Sequence, residues 1–97
     1  MVSARNLHAS AQFFQAISDE ERLALVILLS EGEYTVSQLC EKTGTMMSNM
    51  SARLKILYTS GLISKRREGK NIFYTLADAH VLTIIKNVTD HVAHCHN

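Results

Sequence analysis

One stretch constrains this chain more than any other: VSQLCEKTG, then SNMSARLKILYTSG, then LISKRREGKNIFYTL. Thr35 can cap a short helix, VSQLCEKT, that stops at Gly44. A longer helix then runs roughly from Met46 to Ser60 and stops at Gly61. LISKRR and KNIFYTL read as two strands around Glu68-Gly69, a hairpin turn signal. Two helices joined by a glycine turn, with a hairpin behind them, predict a mainly α winged helix-turn-helix.

On a helical wheel Met46, Met50, Leu54 and Leu57 of the longer helix gather on one side, with Met47 and Tyr58 at its edge. Ser48, Ser51, Ala52, Lys55 and Thr59 gather opposite. A small polar face with no bulky charge before Lys55 suits entry into a major groove. Ser48, Asn49, Ser51 and Lys55 are therefore the candidate groove contacts. Taken alone, this could be an ordinary amphipathic surface helix. The hairpin shifts the balance: Lys65, Arg66, Arg67 and Lys70 surround its turn, where cations can reach the phosphates flanking a groove. A charged hairpin by itself is usually a solvated edge. Directly after a helix-turn-helix it reads as a wing.

Charge supports this. Residues 45–76 hold six Lys/Arg against one Glu, +5, whereas residues 1–44 hold three against six acids, −3. Such asymmetry suggests a nucleic-acid face. The remaining elements are helical. LHASAQFFQAI, Leu7 to Ile17, forms a first helix. A second is capped by Ser18 or Asp19, carries Glu20 and Glu21 in its first turn, and runs to Gly32. A fifth begins near Asp78. Length predicts a single domain over residues 1–97. No apolar run is long enough for a membrane span, and the first residues lack a signal peptide's apolar stretch. The two cysteines, Cys40 and Cys95, read as free thiols in a reducing cytoplasm.

From ISDEERLALVILLSEGEYTVSQLCEKTG through SNMSARLKILYTSGLISKRREGKNIFYTL, the chain resembles the ArsR/SmtB family of metal-sensing winged-helix repressors. The resemblance covers nearly the whole chain. It implies a homodimer joined by its first and fifth helices, and a repressor that leaves double-stranded operator DNA when an inducer binds. The chain departs from the family at Met47, where Gln or another polar residue is common, and at Ala52, where His is common.

Four of the five histidines, His80, His91, His94 and His96, lie in DAHVLTIIKNVTDHVAHCHN. His91 and His94 share a face, and His80, 11 residues before His91, returns almost to the same azimuth. Eleven residues, however, rise about 16 Å, so one helix cannot bring both ends to one ion. Two antiparallel helices can. Asp78 and His80 of one chain with His91 and His94 of the other make a complete tetrahedral shell. Val81, Ile84, Ile85, Val88 and Val92 form an adjacent apolar stripe for pairing. The D-x-H…H-x-x-H spacing is similar to that of the zinc- and cobalt-responsive branch of the family. That similarity selects Zn²⁺, with Co²⁺ or Ni²⁺ as alternatives. The family's other site, a cysteine pair near the third helix, falls on Thr35 and Ser37.

Two regulatory alternatives stay open at this point: a thiol-redox switch between Cys40 and Cys95, and a winged helix that binds without sensing. An enzyme is disfavoured, because no catalytic dyad, phosphate loop or open metal position is present.

Overall fold

Local capping chemistry sets most of the element boundaries. The structure is a computed structural model and describes residues 2–96. Helix α1 covers Ala4–Ala16 and begins where the Ser3 hydroxyl accepts from the Asn6 amide at 3.1 Å. This start lies three residues before the one read from the apolar pattern. Helix α2 covers Glu20–Leu29 and is capped by Asp19, whose Oδ2 accepts from the Arg22 amide at 3.0 Å. It ends at Ser30, not at Gly32, and Gly32 takes no left-handed conformation.

A two-residue strand β1, Tyr34–Thr35, follows, and then helix α3, Val36–Thr43. Thr35 and Gln38 form a reciprocal capping box: the Gln38 amide donates to Thr35 Oγ1 at 3.2 Å, and the Thr35 amide donates to Gln38 Oε1 at 2.8 Å. Gly44 closes α3 at φ 72°, a left-handed cap that a Cβ would strain. Helix α4 covers Met47–Thr59. Strands β2, Ile63–Glu68, and β3, Asn71–Leu76, form the hairpin, and helix α5 covers Ala79–His96. Gly69 sits first in the two-residue loop at φ 63°, with Lys70 at negative φ, as a type II′ turn requires.

The sheet is antiparallel in the order β1-β3-β2. Strand β1 is the element the sequence did not reveal. It pairs Tyr34 with Tyr74 and Thr35 with Phe73, tying the start of α3 to the hairpin. The core gathers Leu25, Val26 and Leu29 of α2, Leu39 of α3, and Met50, Leu54 and Leu57 of α4. Leu62, Ile63, Val81 and Ile85 complete it from the sheet and α5. Met46, placed on the apolar side by the wheel, instead precedes α4 as its N-cap and is 71% exposed.

Helix α1 contributes one fully buried side chain, Ala16. Leu7 and Phe14 lie exposed, and so do Leu82, Val88 and Val92 of α5. Between α1 and α5 lies an open apolar hollow of about 610 Å³ that reaches Phe13, Phe14, Gly61 and Ile84. Within one chain, therefore, much of the apolar surface of the two terminal helices remains uncovered.

Candidate nucleic-acid interface and metal centre

Burial of Met50, Leu54 and Leu57 turns the other side of α4 outward. Ser48, Asn49, Ser51, Ala52 and Lys55 are all exposed there. Arg53, which the sequence reading passed over, holds this helix in place. Its guanidinium bonds the Glu21 carboxylate of α2 and donates to Thr45 Oγ1 at 3.3 Å. No spacing rule would have paired residues 32 apart.

The wing cations separate by strand alternation. Lys65 and Arg67 share one face of β2. Lys65 Nζ lies 4.5 Å from the Tyr58 ring centroid, so this face meets the exposed stripe of α4. Tyr58 lies seven residues after Ser51, on the same azimuth. Arg66 faces the other way. Its Nε and Nη2 donate to the two Glu33 carboxylate oxygens at 2.8 and 2.9 Å, and its Nη1 donates to Glu68 at 2.7 Å. Its guanidinium carbon lies 4.7 Å from the Phe73 ring centroid. Of the four cations read as phosphate contacts, Arg66 is thus neutralised by two carboxylates, whereas Arg67 and Lys70 enter no ion pair among the described residues.

The Arg66 hydrogen bonds hold the Glu33 carboxyl below its ordinary value of 4.5, and the partners Glu33 and Glu68 push Arg66 further up. A depressed carboxyl stabilises the fold above its unfolded pKa, and that stability is lost as pH falls through the folded value. Carboxyl NMR should show Glu33 titrating below 4.5 and returning to its ordinary range in Arg66→Gln; an unmoved midpoint would mean the pair does not persist in solution.

The predicted metal ligands occupy the two ends of α5, and all four are exposed. Asp78 precedes the helix, and its Oδ1 accepts from the amides of His80 at 2.9 Å and Val81 at 3.1 Å. These bonds, that from Val81 foremost, hold its carboxyl low. His80 Nδ1 lies 3.5 Å from the same oxygen. At the other end, His91 Nε2 lies 3.5 Å from Cys95 Sγ. Among the described residues of one chain, no three His, Cys, Asp or Glu side chains converge. The donor chemistry, imidazoles with a carboxylate, fits Zn²⁺, Co²⁺ or Ni²⁺. The side chain of His96 lies outside the described residues.

Both cysteines are free; Cys40 packs half-buried against the core, and Cys95 is exposed. No helix among the described residues is long and apolar enough to cross a membrane.

The family model described as bacterial regulatory protein, arsR family, matches residues 19–65, which cover α2, α3, α4 and the start of the wing. A transcriptional repressor SmtB homolog of Synechocystis sp. is 38% identical over 82 residues, 84% of this chain. The chain spans 62% of that relative's length. The arsenical resistance operon repressor of Escherichia coli is 35% identical over 85 residues, 87% of this chain and 72% of the repressor. A homodimeric winged helix-turn-helix DNA-binding domain from Mycobacterium bovis, a possible ArsR-family transcriptional regulator, superposes with a TM-score of 0.87. It is 29% identical, and the match covers 96% of this chain and 89% of that one.

Proposed function

The chain belongs to the arsR family of bacterial regulatory proteins, and from that premise we propose that it is a cytoplasmic, metal-responsive transcriptional repressor that binds operator DNA as a metal-free homodimer. The observation that carries the DNA reading is the alignment of two surfaces: the exposed stripe of α4 and the Lys65–Arg67 face of β2, joined through Tyr58. Ser48, Asn49, Ser51 and Lys55 face the groove. Lys65, Arg67 and Lys70 face the phosphates. Arg66 braces the wing against Glu33.

The sensing half rests on α5. Asp78 and His80 of one protomer, with His91 and His94 of the other, hold Zn²⁺, Co²⁺ or Ni²⁺. The exposed Val88 and Val92 and the apolar side of α1 make the dimer. Bound there, the ion crosslinks the two fifth helices. Each α5 packs into its own core through Val81 and Ile85, so a change in how the two helices pair is passed to the rest of each protomer. The metal-loaded spacing of the two α4 helices fits successive major grooves less well. Coupling is reciprocal, typically about 5–150-fold, so operator DNA weakens metal binding by the same factor.

The test starts from the metal-free protein and an operator obtained by selection from random duplexes. Zinc should release it, and chelator should restore binding. Arg67→Ala should lower the salt slope by about one unit, one phosphate contact, on operator and random DNA alike. Arg66→Ala should change that slope less, because its charge is already paired. Ser51→Ala should weaken operator binding more than random binding. Zinc-independent affinity would remove the sensing reading, and an unchanged salt slope would move the wing away from the phosphates.

A further inference from the structure

We propose that Cys95 is a metal ligand, so that the C-terminal half of each shared site is a His91–Cys95 pair and the inducer shell contains a thiolate. This rests on the inter-subunit site proposed above and changes its chemistry. Zinc binds nitrogen at about 2.0–2.1 Å and sulfur at about 2.3 Å. Two such bonds at a tetrahedral angle set nitrogen and sulfur about 3.5–3.6 Å apart. His91 Nε2 and Cys95 Sγ stand 3.5 Å apart. The same geometry gives about 3.3–3.4 Å for a nitrogen and an oxygen, and His80 Nδ1 and Asp78 Oδ1 stand 3.5 Å apart. Each end of α5 therefore presents one donor pair near the bite of a tetrahedral ion.

The contact with His91 favours the cysteine. His91 and Cys95 are four apart, on one face of α5, and both are exposed to whatever packs there. On coordination the Cys95 thiol gives its proton to solvent and the sulfur donates a lone pair to the ion; nothing is oxidised or reduced. A shell of carboxylate, two imidazoles and one thiolate is softer than the all-nitrogen-and-oxygen set. It gives preference to ions that tolerate sulfur, such as Zn²⁺ and Cd²⁺.

Cobalt provides the readout. The metal-free dimer is titrated with Co²⁺ alone, in the presence of a thiol reductant. The complex should show an intense near-ultraviolet sulfur-to-cobalt charge-transfer band. Cys95→Ser should abolish that band while keeping cobalt bound, and Cys40→Ser and His94→Ala should keep it. The ratio of Cd²⁺ to Co²⁺ affinity should fall in Cys95→Ser. Cobalt bound without a charge-transfer band, or a band that survives Cys95→Ser, overturns the thiolate ligand and leaves the inter-subunit site intact. No cobalt binding at all overturns the site and the ligand together. Cys95 is exposed, so serine there does not threaten folding.

Discussion

The double variant Val88→Asp, Val92→Asp should be a folded monomer whose operator affinity is about 10²–10⁴-fold lower, the factor lost when two linked half-site contacts become one. In the single chain these side chains are 47% and 45% exposed, and neither belongs to the core formed with Val81 and Ile85. Substitutions at such positions usually change stability by no more than about ±0.5 kcal/mol. The circular dichroism spectrum should therefore be unchanged. The uncovered apolar surface of α5 adjoins the hollow lined by Phe13, Phe14 and Ile84. Four carboxylates across a two-fold contact would have to be buried or brought together, and either is costly. Sedimentation would give the mass, and binding to a single half-site duplex would separate lost pairing from lost recognition. A variant that stays dimeric would place the interface elsewhere.

How far the fold was legible follows from how local its causes are. Asp19, Thr35 and Gly44 mark helix ends through bonds to residues at most four positions away; the sequence placed Thr35 and Gly44 and narrowed the third to Ser18 or Asp19. The hairpin was legible for the same reason, since Gly69 decides the turn within two residues. Strand β1 was not. Two residues carry no period, and its partners, Phe73 and Tyr74, lie nearly 40 positions on. The pairing of Arg66 was hidden in a similar way. Alternation alone separates it from Lys65 and Arg67, but Glu33, 33 residues earlier, is what neutralises it. Met46 was misread because one residue decided whether it began the helix or capped it. On α5, helical arithmetic put Asp78 and His80 at one end and His91 and His94 at the other. The contact between His91 and Cys95 needed coordinates, because a four-residue spacing permits a pair without requiring one.

A mixed dimer should decide whether each metal site is shared between chains. One chain carries Asp78→Ala and His80→Ala; the other carries His91→Ala and His94→Ala. His80 and His91 lie about 16 Å apart along the axis of one α5, and no three His, Cys, Asp or Glu side chains converge within one chain among the described residues. If each site combines the start of one α5 with the end of its partner, one site of the mixed dimer meets two damaged halves and is lost. The other meets two intact halves and survives. The mixed dimer should therefore bind one zinc tightly, whereas each mutant homodimer, with every shell incomplete, should bind none. Sites confined to single chains predict no tight zinc in any of the three. The result does not depend on whether His94 or Cys95 accompanies His91, because removing His91 leaves either pair incomplete. Differential tags isolate the mixed species, and zinc per dimer is counted after dialysis. A count near zero would remove both the ligand set and the antiparallel pairing of the fifth helices, and with them the reason for imidazoles at both ends of α5.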